Sequence, residues 1–179
     1  MCTTLTSISY SRIGKLGLGS FKSRKNKPAT SYRTLKDGQM SEVVVTSQQN
    51  LQNLVTYGSR NSLIVDEPGE IGGEDAGPDP YTLLLAALGS CISLTVTLYA
   101  RRKQWPLEQV TVRLRQNRVH AKDCQECAEN VEGYVHRIER SVSFIGDLTE
   151  AQRARLTEIS HKCPVHKTLT SPIVIADWT

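Results

Sequence analysis

From Pro80 to Ala100 the chain carries no charged side chain, and the triplet Arg101-Arg102-Lys103 follows at once. A run of that length is just long enough to cross a bilayer as a helix. Against a membrane span stand Gly89, Ser90, Ser93, Thr95 and Thr97, all within a single isolated segment. A central helix of a soluble domain, buried on most sides, accounts for the same pattern. Its ends are written in the sequence. Asp79-Pro80 supplies an N-cap and a proline at the first helical position, the three cations suit the C-terminus, and Trp105-Pro106 stops the helix. The remaining elements are expected to be arranged around this helix.

Three strand-like segments precede it: Glu42–Thr46 with Val43-Val44-Val45, Leu51–Tyr57, and Ser62–Asp66 with Leu63, Ile64 and Val65. Gly58-Ser59 marks a turn between the last two, and the Gly- and Pro-rich stretch 67–79 is a loop. Two longer strands follow the helix. Val110, Val112 and Leu114 alternate with Thr111, Arg113 and Arg115. Ile138, Val142 and Phe144 face one way, while Arg137, Glu139, Ser141 and Ser143 face the other. His120–Gly133 is a long polar connection. Thr149 and Gln152 form a capping box for a helix with Leu156 and Ile159 inward. A short helix is expected near Cys163-Pro164, and a last strand over Ile173–Trp178. The fold class is α+β, a largely antiparallel sheet packed on one long central helix. Residues 41–179 form one domain, and 1–40 a disordered or targeting extension.

Among the 179 residues the formal charge of +4 is unevenly spread. Residues 1–40 hold eight Lys/Arg and one acid, Asp37, whereas the rest holds fourteen Lys/Arg and seventeen acids. The basic balance therefore belongs to the tail and does not describe a nucleic-acid-binding face. Residues 1–36 lack acids and are rich in Ser, Thr, Lys and Arg, as in an organellar transit peptide. A disordered extension, or an upstream start codon with Met40 as the working start, is the plainer reading and is preferred. The expected location is the cytoplasm, or a plastid or mitochondrion if the tail is a transit peptide.

Five cysteines, at positions 2, 91, 124, 127 and 163, form no dense disulfide framework, which suits a reducing compartment. Cys91 lies inside the apolar helix, where burial alone keeps a thiol inert. To attack an electrophile such as a peroxide O–O bond it needs a nearby cation to hold it as thiolate. Arg60, the only Lys or Arg between Asp37 and Ala100, is the candidate. The plain alternative is an inert helix cysteine and a solvated turn arginine. Cys163 precedes Pro164 at a helix start, so its sulfur is expected to meet unpaired N–H groups. His161 and His166 could supply charge or accept a proton, making Cys163 suited to condense with a sulfenic acid on Cys91. A helix cap beside surface histidines is the other reading. His120-x3-Cys124-x2-Cys127, with His136, is half a zinc motif and reads better as a loop thiol pair than as a closed site. There is no GxGxxG, P-loop or GxSxG, and the loop 72–78 is acidic, so no nucleotide site is expected.

Two separated motifs in order carry a family resemblance. Gly72-Gly73-x-Asp75-x-Gly77-Pro78-x-Pro80, continued by Leu83-Leu84-Leu85-Ala86-Ala87-Leu88-Gly89-Ser90-Cys91, resembles the helix signature of the OsmC/Ohr family. Lys162-Cys163-Pro164-Val165 is similar to its second-cysteine signature, and the match extends over about residues 42–178. His120-Ala121-x-Asp123-Cys124 and Arg137-Ile138-Glu139-Arg140 resemble the branch related to OsmC domains fused to α/β-hydrolases.

The resemblance implies an intertwined homodimer with two long helices at its centre. It also implies thiol-dependent reduction of organic hydroperoxides and hydrogen peroxide, with regeneration by a dithiol reductant of lipoyl or thioredoxin type. Cys91 would be the peroxidatic and Cys163 the resolving cysteine, with Arg60 as the family arginine. No metal, haem or flavin cofactor is implied, and no nucleic-acid or membrane partner. One departure stands out. Tyr81 occupies the place, directly after the helix-starting proline, where characterised members have the glutamate that orients the arginine. Glu67, Glu70 and Asp79 are the carboxylates that could replace it. That departure favours a rival reading, a non-catalytic small-molecule-binding or redox-responsive dimer on the same scaffold. A sensor built on Cys124 and Cys127 is the third.

Overall fold

A computed structural model describes residues 42–123 and 133–177. Strands β1 (Val43–Ser47), β2 (Asn53–Tyr57) and β3 (Asn61–Val65) form an antiparallel sheet in that order, with Val45 opposite Val55 and Val55 opposite Leu63. Gly58 turns β2 into β3 with a positive φ of 61°, a conformation glycine adopts without steric cost. β1 is exposed along its whole length.

Asp66, at the end of β3, organises the loop that leads into the long helix. Its buried carboxylate accepts backbone N–H bonds from Glu67 at 2.8 Å and from Glu74 and Ala76 at 3.1 Å each. Burial alone would raise its pKa. The N–H groups of Ala76, Glu67 and Glu74 and the Gln52 side chain outweigh this and bring it below the ordinary aspartate value. The loop then passes so close to β3 that a Cβ on Gly77 would lie 2.1 Å from the Ile64 carbonyl oxygen, so only glycine fits.

Helix α1 (Pro80–Lys103) begins and ends as its sequence signals require. Asp79 accepts from the N–H groups of Tyr81 and Thr82, and Gln104 closes the helix in the left-handed region at φ 53°. Leu88, Ile92, Val96 and Ala100, four residues apart, form one buried stripe. Each of the larger three contributes roughly 2 kcal/mol of burial. The stripe packs on a hairpin of β4 (Leu107–His120) and β5 (Tyr134–Gly146), and on α2 (Glu150–Ser160) and α3 (Pro164–Leu169). Gly89 lets α1 close onto β4, since a Cβ there would come within 3.1 Å of Leu114 Cδ1. The Thr149–Gln152 capping box opens α2, with Leu156 and Ile159 buried. Arg153 fastens α2 to β5 by donating to the carbonyls of Phe144 (2.9 Å) and Gly146 (3.0 Å). Arg155 donates to Tyr99 Oη of α1 at 3.2 Å.

The architecture is α+β with antiparallel strands, and it differs from expectation in three places. The strands form two separate sheets instead of one, because β1–β3 and β4–β5 share no ladder. α1 is buried along one stripe and not on most sides, leaving Leu94 48 % exposed on another face. Residues 172–177 form no strand, and Val174 and Ile175 are 89 % and 94 % exposed. A strand exists through its ladder partner, and no described strand of the same chain runs beside this segment. Cys124, Cys127 and Trp178, each singled out above, lie outside the described residues.

Candidate thiol site

Cys91 lies midway along α1, half-buried, and Cys163 is the N-cap of α3, fully buried. Although 72 positions separate them in the chain, both sulfurs belong to one apolar cluster with Leu88, Ile92, Val112, Ile138 and Val142. Both are free thiols. Pro164 takes the first helical position of α3, so the chain turns at Cys163 and the backbone N–H of His166 donates to Cys163 Sγ at 3.3 Å. The expected N–H contact at this sulfur is therefore present. It does not set the ionisation. Burial pushes the Cys163 thiol up and its hydrogen bond to Cys91 pushes it further, with the His166 N–H only partly offsetting them. Both effects favour the protonated thiol at Cys163, which shares its apolar cluster with Cys91.

The other anticipated residues fall in different places. Arg60 occupies the exposed β2–β3 turn and makes no hydrogen bond or ion pair among the described residues. Tyr81 is exposed at the start of α1, its ring stacked on His136 with centroids 6.0 Å apart. Asp79 is committed to capping. Thr82 holds its carboxyl below the usual aspartate range, through its hydroxyl first and its N–H second. The carboxylates of Glu67 and Glu70 make no hydrogen bond or ion pair among the described residues.

His161 is not the free base its sequence position suggested. Arg140 donates to its Nδ1, and a guanidinium can only donate, so that nitrogen's lone pair is occupied and the proton sits on Nε2. Burial lowers the His161 pKa, and the charge of Arg140 lowers it further. The imidazole is neutral and has no acceptor left. Arg140 figures in the sequence only within the motif Arg137-Ile138-Glu139-Arg140, with no site role, although a charge at an inward position of an alternating strand, between Ile138 and Val142, was the signal. A cavity of about 690 Å³ opens on the hairpin around Arg113, Arg137 and Arg140 and includes neither cysteine. It is lined mostly by charged side chains and holds no thiol. The cluster around Cys91 and Cys163 is therefore the candidate site.

Comparisons with known proteins agree with this architecture. The chain aligns in structure with an OsmC like protein from Mycoplasma pneumoniae at TM-score 0.57 and 16 % identity, over 74 % of this chain and 89 % of that one. It aligns with the organic hydroperoxide resistance protein OsmC of Legionella pneumophila at 0.54 and 19 %, over 75 % and 91 %. An organic hydroperoxide resistance protein from Elizabethkingia anophelis gives 0.54 and 20 %, over 76 % and 90 %. At these identities the likeness is one of fold. No curated protein matches the chain. The family model described as OsmC-like protein matches residues 72–176, more than half of the sequence, and takes in the long helix and both described cysteines. The chain belongs to the OsmC-like protein family.

Proposed function

We propose that the protein is a thiol-dependent peroxidase reducing organic hydroperoxides and hydrogen peroxide through Cys91 and Cys163. The observation that carries this reading is that two free thiols from distant elements share one apolar cluster, one half-exposed and one sealed. The half-exposed sulfur is the one a peroxide can reach. Cys91, as thiolate, attacks the distal peroxide oxygen. The O–O bond breaks, an alcohol or water leaves with a proton, and Cys91 becomes a sulfenic acid. The Cys163 sulfur then displaces water from Cys91 as its own proton is lost, and an external dithiol of lipoyl or thioredoxin type reduces the disulfide by exchange. Mass spectrometry after one equivalent of cumene hydroperoxide tests this. A peptide joined through Cys91 and Cys163 is expected. Unmodified thiols, with peroxide loss at the background rate, would rule the reading out.

The reading includes a homodimer. Val43–Val45, Leu94 and Ile173–Ile175 are exposed apolar residues on three separate elements of one chain. Covering them with a second copy gives the 173–177 segment a ladder partner and buries a second face of α1. In that assembly the Arg60 turn of one copy is free to meet the thiols of the other. Light scattering should give twice the mass of one chain; a monomer at micromolar concentration contradicts the proposal.

A second reading rests on a specific observation. Tyr81 stacks on His136 where family members have a carboxylate, and Arg60 has no described partner. Both favour a non-catalytic, ligand-binding or redox-responsive dimer. Disulfide formation with no multiple turnover, across several hydroperoxides and dithiols, would select it.

A further inference from the structure

Arg140 breaks the alternation of β5. By strand parity it shares the side of Ile138, Val142 and Phe144, which pack on α1 and its neighbours, and its ladder partner Leu114 lies in the same cluster as Cys163. A guanidinium placed there gives up part of its hydration and needs fixed acceptors. It has two, both on the chain leading to the second cysteine. One terminal nitrogen donates to the Ser160 carbonyl at 3.0 Å, and the other donates to His161 Nδ1. Ser160 is the last residue of α2, so its carbonyl has no partner within the helix and stands at the negative end of the helix dipole. Only Lys162 separates this double contact from Cys163. Among the described residues these are the only hydrogen bonds between the hairpin and the α2–α3 connection. Arg153 and Arg155 hold α2 further back, on β5 and α1, and do not reach the connection.

We propose that Arg140 is a positioning residue for the second thiol: it clamps the α2–α3 connection to β5 and so sets how readily Cys163 closes on Cys91. This rests on the two-thiol reading above. Closure requires the two sulfurs to approach to a bond of about 2.05 Å, with water leaving the Cys91 sulfenic acid. Its competitor is a second peroxide, which takes the sulfenic acid to a sulfinic acid and ends turnover. A step so dependent on approach geometry slows by up to about a hundredfold when a reacting atom is misplaced by 1 Å. Holding Cys163 in place therefore decides between disulfide and overoxidation, while the first attack by Cys91 proceeds without it.

The test uses the full chain as wild type, Arg140→Met and Arg140→Lys, with circular dichroism confirming that each is folded. Dimedone trapping measures formation of the Cys91 sulfenic acid, and mass spectrometry counts disulfide and sulfinic products. Arg140→Met should form sulfenic acid within about twofold of the wild-type rate, close the disulfide at least about tenfold more slowly and accumulate sulfinic acid. Arg140→Lys keeps the charge but cannot span both acceptors, so it should recover only part of the closure rate. Full recovery by lysine would show that charge alone matters and overturn the clamp. Equal losses in both chemical steps would overturn it too. A second arm needs no peroxide. In the reduced protein, maleimide labelling of the sealed Cys163 should rise at least about tenfold in Arg140→Met, with Cys91 labelling unchanged. Unchanged Cys163 labelling would sink the clamp. If wild type forms no sulfenic acid at all, the peroxidase reading fails, and the labelling arm still decides the placement of Cys163.

Discussion

If the proposed peroxidase reading holds, Cys91→Ser is expected to remove peroxide consumption above background, a fall of at least about a thousandfold in the dithiol-coupled rate. Serine fills nearly the same volume, and position 91 is only half-buried, so the fold is retained. The hydroxyl is hardly ionised at neutral pH, so no nucleophile is left to attack the O–O bond. Cys163→Ser behaves differently on the same reasoning. It keeps the first oxidation and loses the disulfide, so sulfenic and then sulfinic acid build up on Cys91. The pair of results assigns attack to one sulfur and closure to the other. A Cys91→Ser protein retaining more than a tenth of wild-type turnover would remove Cys91 from the chemistry.

Ile92→Ala costs about 3 kcal/mol of folding stability, a drop of about 10 °C in Tm. Ile92 has no exposed surface and packs with Leu88 and Cys163 in the cluster that also holds Cys91. Truncation loses its transfer energy and leaves a void that a helix fixed on one side by β4 and on the other by α3 cannot close. Denaturant titration should move the midpoint with little change in slope. A shift below about 1 kcal/mol would mean that this cluster is loosely packed. It would also mean that the wall around the two thiols is less dry than its burial indicates.

The long helix was legible to the residue. Asp79-Pro80 and Arg101-Arg102-Lys103 act on their own backbone neighbours, and the structure closes α1 at Pro80 and Lys103. The same holds for the Thr149–Gln152 box and for Gly58, where cap and turn chemistry spans only a few positions. β4 and β5 run further than their side-chain alternation, through Gln116, Arg118, His120 and His136, because backbone pairing continues where no core enforces a pattern. Ile173–Ile175 shows the reverse. Its side chains suit a strand, and one chain offers it no ladder.

The thiols followed the same division. Proline after Cys163 predicted the helix start and the N–H at its sulfur, both local matters. That Cys163 would be sealed and share one apolar cluster with Cys91 depended on α1, β4, β5 and α3 meeting around one volume. Arg60, Tyr81 and Arg140 could each be seen as unusual residues, yet their partners could not. Short-range hydrogen bonding and steric preference act between near neighbours in the chain, so those features were readable in advance. The pairing of sulfurs, the splitting of the strands into two sheets and the grip of Arg140 on α2 arise from dense packing between remote segments. There the winning contact depends on every other element already being in place.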